Sequence, residues 1–194
     1  YMETYNRETY RQVHLRGEKA NFERRLLAVE LAGRAGVRTL TIGALLGLAP
    51  WRAEAFRLAL HARYLEKTCW QSAVAVAFPR LRHVPSGFAI PAPVEDADLV
   101  QMILALRLVL PDAGFAVSTR ERAEFRDQLI PLGVTRMSAG SSTRPGGYVA
   151  GGEETLNQFD VEDRRSPAEV AAAIARLGYD PVWKDFDRAF VGSA

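Results

Sequence analysis

The sequence predicts an α/β fold, with parallel strands and flanking helices forming the carboxyl-terminal part of a larger (β/α)8-type, TIM-like barrel. Three observations predict it. Helix-like and strand-like segments alternate along the chain, the pattern of right-handed crossovers onto a parallel sheet. The strands are short and apolar, so both faces of the sheet are expected to be covered. Roughly four or five βα units fill the 194 residues, where a complete eight-fold barrel takes about 250.

The elements follow in order. Tyr1-Met2-Glu3-Thr4-Tyr5-Asn6 reads as the tail of a strand followed by a polar loop. Asn21–Ala35 places Phe22, Leu26, Val29 and Ala32 at helical spacing and stops at Gly36, a C′ glycine. Val37–Ile42 is a buried strand, followed by the glycine-punctuated apolar loop Gly43–Leu48. Trp51–Cys69 is a helix with Ala55, Leu58, Ala62 and Leu65 on one face. Ser72–Phe78 is a strand closed by Pro79, and a long loop with Pro85, Pro91 and Pro93 follows. Asp96–Leu110 is helical, Gly114–Thr119 a strand, Arg122–Ile130 a short helix and Val134–Ser138 a strand. Ala139–Gly152 is a Gly- and Ser-rich loop. Ser166-Pro167-Ala168-Glu169 opens a helix with a capping box, and Gly178 ends it. This divides the chain into a partial barrel over 1–152 and a helical extension of the same domain over 153–194.

Composition narrows the function classes. With 48% hydrophobic and 25% charged residues the chain has ample material for a core, which excludes disorder as its main state. The longest apolar run, Met102–Leu110, is short and carries Arg107, so no membrane span is expected. The start has no basic-then-apolar leader character. Net charge is +2 and arginines alternate with acids, as in Glu23-Arg24-Arg25, so no nucleic-acid surface is expected. The single cysteine, Cys69, excludes an intrachain disulfide or a multi-cysteine metal site within this chain, and suits a reducing, cytoplasmic compartment.

In parallel α/β folds the working residues lie beyond the carboxyl ends of the strands. Those positions are Glu3–Asn6, Gly43–Leu48, Phe78–Arg82, Ser118–Glu121 and Ser138–Thr143. Arginines, hydroxyls and turn amides then converge on one rim, a chemistry suited to a small amino or carboxylic acid. The alternative for each arginine is pairing with a neighbouring Glu or Asp. His14, His61 and His83 share no ligand spacing, and Cys69 reads as core. Nothing has nucleophile-elbow or Walker spacing, and Gly43-x-x-x-Gly47 is not a dinucleotide fingerprint.

These rim motifs, with Pro145-Gly146-Gly147-Tyr148 and Pro181-Val182-Trp183-Lys184-Asp185, occur in the order found in the 2-iminoacetate synthase family. The chain resembles these tyrosine lyases of thiamine biosynthesis, members of the radical S-adenosylmethionine (SAM) superfamily, over essentially its whole length. The match spans the biotin and thiamin synthesis-associated region and the end of the SAM barrel. The resemblance implies SAM and a 4Fe–4S cluster, held by a C-x3-C-x2-C loop, as cofactors. It implies cleavage of the Cα–Cβ bond of L-tyrosine by a 5′-deoxyadenosyl radical, giving 2-iminoacetate (dehydroglycine) and p-cresol. It also implies a reductant protein, and a thiazole synthase that receives the product.

Residue by residue, the resemblance assigns Glu3 and Tyr5 of the Glu-Thr-Tyr segment to the SAM side, with Glu3 near the ribose or amino group. Lys19 would hold the SAM carboxylate, and Leu45 and Leu46 would line the adenine. Arg120 would clamp the tyrosine carboxylate, assisted by Ser118, Ser138 and Ser141, with Arg80 as a second basic candidate. No catalytic or metal-ligating residue is assigned in this chain. Ser142 stands where the family usually has Lys, and Phe186 where Trp is common. The cysteine loop is absent, so these 194 residues alone are expected to be inactive.

Three other readings compete. The tyrosine lyases that mature FeFe-hydrogenase share the Ser-Thr-Arg-Glu segment but carry an extra cysteine pair at the carboxyl end, which Asp187–Ala194 lacks. Tryptophan lyases differ by pocket shape. A non-catalytic assembly module would self-associate through open sheet edges.

Overall fold

The computed structural model describes residues 1–82, 88–142 and 161–183. Its elements are α1 (Arg7–Val13), a 3-10 turn (Glu18–Ala20), α2 (Phe22–Arg34), β1 (Thr39–Gly43), α3 (Trp51–Thr68), β2 (Ala73–Ala77), α4 (Asp96–Val109), β3 (Gly114–Val117), α5 (Ala123–Leu129), β4 (Arg136–Met137) and α6 (Pro167–Arg176). Residue 152, where the two parts of the chain are expected to meet, lies outside the described residues, as do His83, Pro145–Tyr148 and Lys184–Asp185.

The four strands pair in parallel in the order β1-β2-β3-β4, with Ile42 opposite Val76, Val76 opposite Phe115 and Val117 opposite Met137. Strand order equals chain order. Successive right-handed crossovers then carry α3, α4 and α5 to the same face. A doubly wound sheet would instead reverse direction at a switch point. The sheet is thus a sector of barrel wall, as expected.

Side-chain alternation divides the two faces. Leu40, Ile42, Val74, Val76, Phe115 and Val117 point to the helical side and join one core with Leu58, Leu65, Leu99 and Ile103. Phe78 meets Phe115 edge to face at 5.4 Å between ring centroids. The other face holds small residues in cross-strand rows, Thr41–Ala75–Gly114 and Gly43–Ala77–Ala116. Thr41, Gly114 and Ala116 are half-buried there. The described helices lie on one face, while Ala75, Ala77 and Gly43 are buried on the other. A short apolar strand reads the same whether its second face meets a helix or the concave side of a barrel.

Helix ends follow local chemistry. The Asn21 side chain accepts from Arg24 N at 2.9 Å to start α2, and Gly36 follows its end with φ 89°. Ser166 and Glu169 close the capping box of α6, with Pro167 in its first turn. Helix α1 replaces the expected polar loop. Asn6 caps it by accepting from Glu8 N and Thr9 N, and Tyr10 alone is buried, against Phe22 and His14. One buried aromatic in seven residues has no periodicity to detect. No described helix is long and apolar enough to cross a membrane.

Candidate functional site

The rim at the carboxyl ends of the strands is built by backbone that runs past the strands. Met2 N donates to Gly43 O at 3.1 Å and Leu45 N to Glu3 O at 2.7 Å, placing Glu3 in a parallel bridge with Ala44. Leu46 N donates to Pro79 O, and Leu81 N to Leu46 O, both at 2.8 Å. The expected strand tail at Tyr1–Asn6 is thus a short bridge. Alternation continues through it. Leu46 joins the core at 1% exposure, while Leu45, half-buried, has the opposite orientation.

Glu3 has φ 65° and is half-buried. The next residues turn inward. Buried Glu54 on α3 accepts from Thr4 Oγ1 at 3.0 Å and from Tyr5 N at 2.8 Å. The Tyr5 ring enters the core, and its hydroxyl lies 2.8 Å from His61 Nδ1. Burial, with the Glu54 charge, pushes the Tyr5 phenol well above its ordinary pKa.

Arg120, in the turn after β3, is half-buried. Burial pulls its pKa down, while the Glu3 carboxylate and the Tyr1 phenol push it back up. The structure therefore brings Glu3 and Arg120, separated by 117 positions of sequence (120 − 3), into one electrostatic neighbourhood. The Tyr1 ring lies against Gly43: a Cβ there would stand 2.7 Å from Tyr1 Cδ1 and 2.7 Å from Ala77 O. Lys19 is exposed, and its carbonyl accepts from the buried Tyr10 hydroxyl at 2.5 Å.

The hydroxyls frame the same turn. Ser118 Oγ accepts from Arg120 N at 3.5 Å, and Ser138 Oγ accepts from Thr119 N at 3.2 Å. Ser138 is exposed and Ser141 half-buried. Thr119 O accepts from Glu162 N at 3.0 Å and Asp163 N at 3.1 Å, tying the segment before α6 to the rim. That segment is pinned by a buried network. Arg126 donates to Asp163 and to Ser138 O, and Arg165 donates to both Asp163 and Asp127.

Arg80 is placed differently from Arg120. It is 4% exposed and donates through Nε to Glu121 Oε1 at 2.9 Å, through Nη1 to Val94 O at 3.0 Å and through Nη2 to Asp96 Oδ1 at 2.7 Å. Its guanidinium braces the turns after β2 and β3 against the start of α4. Pairing with neighbouring acids, the alternative for each arginine, is what the structure gives Arg80.

Glu54, His61, Arg126 and Asp163 are the polar groups that sequence reasoning missed as determinants of the rim. Glu54 and His61 did leave a signal, since they fall on the stripe Trp51, Glu54, Leu58, His61, Leu65 that buries α3. A charge at a core position of such a stripe needs a partner. Arg126 lies between buried Phe125 and Leu129 in the same way, but its partner Asp163 is 37 positions away.

His61 has a measurable consequence. Burial lowers its pKa from 6.5 to about 4. Unfolded chains take up this proton near pH 6.5, folded ones only near pH 4. Stability is therefore expected to fall by on the order of 3 kcal/mol as pH drops across that window, and to be insensitive to this group above it. Urea melts at a series of pH values check this. His61→Gln, which keeps an acceptor for Tyr5, should flatten the slope.

Among the described residues no group of three or more His, Cys, Asp or Glu is placed to hold a metal ion. Cys69 is buried, with Sγ 3.8 Å from Glu30 O.

A family model described as the Biotin and Thiamin Synthesis associated domain matches residues 77–180. The 2-iminoacetate synthase of Escherichia coli (strain K12) is 43% identical over 195 residues, covering 100% of this chain and 51% of its own length. The 2-iminoacetate synthase of Salmonella typhimurium (strain LT2) is 43% identical over 188 residues, covering 96% of this chain and 50% of its own. The chain thus spans about half the length of the curated relatives it matches. Two solved structures share the fold. HydG, a maturase of the FeFe-hydrogenase, superposes with TM-score 0.82 at 34% identity, over 92% of this chain and 39% of that one. HydG from Carboxydothermus hydrogenoformans gives 0.79 at 39% identity, over 92% and 41%.

Proposed function

The chain belongs to the biotin and thiamin synthesis-associated domain family, and on that basis we propose that it forms the SAM- and substrate-facing rim of a radical SAM tyrosine lyase. The reaction is cleavage of L-tyrosine at Cα–Cβ to 2-iminoacetate and p-cresol. The observation that carries this reading is the placing of Glu3, bridged to Ala44, within electrostatic range of Arg120 on one rim above a floor of Gly43, Ala77 and Ala116. An amino-acid substrate needs a cation for its carboxylate, and Arg120 can grip one bidentately. The resemblance to 2-iminoacetate synthases at 43%, against 34% and 39% for the two HydG structures, favours the thiamine-side reaction over hydrogenase maturation.

The residues fit SAM. Its ribose hydroxyls and amino group are donors, and Glu3 offers a half-buried carboxylate beside the half-buried Leu45. The Gly43 position leaves no room for a Cβ, which brings the rim into close approach. Lys19 is the cation on the same side. SAM, when bound, supplies the hydrogen-abstracting chemistry, and this chain's residues orient the two amino acids toward each other. Tyr5 acts through the core and Leu46 through packing beneath the rim. Arg80 braces the turn that presents Arg120.

A 4Fe–4S cluster does not fit this chain. Its one cysteine is Cys69, enclosed between α2 and α3. Electrons come from a reductant protein, and a thiazole synthase takes the product, both in the cytoplasm.

The test uses the intact, cluster-loaded enzyme with SAM and a reductant. L-Tyrosine is expected to yield p-cresol, and L-tryptophan no cleavage product. SAM turnover without p-cresol would overturn the assignment. The 194 residues alone are expected to give no p-cresol under the same conditions.

A further inference from the structure

We propose that Glu54, a buried carboxylate on α3, is a positioning residue that sets the backbone of Glu3 and so aims the Glu3 carboxylate across the rim. Glu3 is the one non-glycine residue with positive φ among the described residues. A residue with a Cβ holds that conformation only where its surroundings impose it, and such residues concentrate at ligand sites. Here the surroundings are identifiable on both sides of Glu3. Before it, Met2 N donates to Gly43 O at 3.1 Å, and the Glu3 carbonyl itself accepts from Leu45 N at 2.7 Å. After it, Thr4 Oγ1 and Tyr5 N both end on Glu54, at 3.0 and 2.8 Å.

The chain therefore runs along the edge of the sheet up to Glu3 and is then drawn into the core by α3. Glu3 is the residue at which the direction changes. Thr4 extends the hold by accepting from Asn6 N at 3.0 Å, which leads into the cap of α1. The cost of burying a charge makes the arrangement informative. Glu54 is 1% exposed, on a helical stripe otherwise filled by Trp51, Leu58 and Leu65. An apolar residue would suit that position better for packing alone. What the carboxylate adds is a double hydrogen bond to the two residues that follow Glu3.

The inference rests on the reading of Glu3 as the carboxylate that faces SAM, and the experiment separates the two. SAM is titrated calorimetrically into the intact, cluster-loaded enzyme and its Glu3→Gln, Glu54→Gln and doubly substituted forms. Glu3→Gln is expected to weaken SAM binding about tenfold or more, the scale of one charged hydrogen bond. Glu54→Gln, which keeps volume but turns one acceptor into a donor, is expected to weaken it about tenfold by the same measure. The double form should be no weaker than Glu3→Gln alone, because Glu54 acts through Glu3. KM for L-tyrosine should move little in Glu54→Gln. Effects that add in the double form overturn the inference, as does full SAM affinity in Glu54→Gln beside a weakened Glu3→Gln. Unchanged affinity in Glu3→Gln overturns the reading of Glu3, and the inference with it. Should Glu54→Gln fold poorly, Thr4→Val removes one of the two donors and Thr4→Ser restores it. Weaker SAM binding in the first with recovery in the second supports the device, and equal affinity in both overturns it.

Discussion

Arg120→Ala in the intact enzyme is expected, on the proposed reading of Arg120 as the clamp of the substrate carboxylate, to lower kcat/KM for L-tyrosine roughly a hundredfold, mostly through KM, through loss of a bidentate charged contact. Arg120→Lys should recover only part of it, since a point charge cannot reproduce the planar fork. Neither change should cost much stability, because Arg120 is half-buried and lies in a turn. Arg80→Ala gives the contrasting result. It leaves Glu121, 1% exposed, without its main cation, and removing one member of a buried pair costs about 3–5 kcal/mol. Thermal melts and tyrosine titrations on both variants separate the roles. A large rise in KM for Arg80→Ala at unchanged Tm would reverse the assignment.

Asp163→Ala is expected to destabilise the fold by about 3–5 kcal/mol, measured by urea unfolding. Asp163 is 1% exposed and receives Arg126, which is wholly buried, together with Arg165. Removing the carboxylate strands the Arg126 charge, whose Nε already has no hydrogen-bond partner. The segment at 162–163 should then detach from Thr119 O, so the Ser118–Arg120 turn loosens as well. The pH dependence has a definite sign. Burial raises the Asp163 pKa, but the hydrogen bonds from Arg165 and the charge of Arg126 more than offset it and hold the carboxyl below its ordinary value. This contribution is present above the ordinary carboxylate range and is lost as pH falls through the depressed folded value. A variant as stable as the parent chain at pH 7 would show that the pair contributes nothing.

Much of the architecture is legible because its signals are local. Asn21 and Gly36 bracket α2, and Ser166 with Glu169 brackets α6, each through bonds made within a few residues. The strand expected over Val134–Ser138 shrinks to Arg136–Met137, since Val134 N bonds back to Leu129 O. Helix α1 escapes notice because it offers one buried side chain. The site is legible as a set of rim positions and not as a set of roles. Arg80 and Arg120 look alike in sequence, each beside a strand end with a hydroxyl or proline near it. What distinguishes them is Glu121, in the turn after β3, and Asp96, at the start of α4, which both reach Arg80.

The sequence by itself determined the alternation of strand and helix, the caps, the parallel sheet, and the family to which the rim motifs point. These depend on periodicity and nearest neighbours, which the order of residues contains. Only the tertiary structure decided which sheet face the helices pack on, that Tyr5 and Leu46 turn into the core, and that Glu3 comes within electrostatic range of Arg120. It also decided that buried Glu54, Arg126 and Asp163 hold the rim in shape. Those outcomes rest on contacts between residues far apart in sequence, from 37 positions for Arg126 and Asp163 to 56 for Tyr5 and His61, and the energy of such contacts depends on burial that no local pattern specifies.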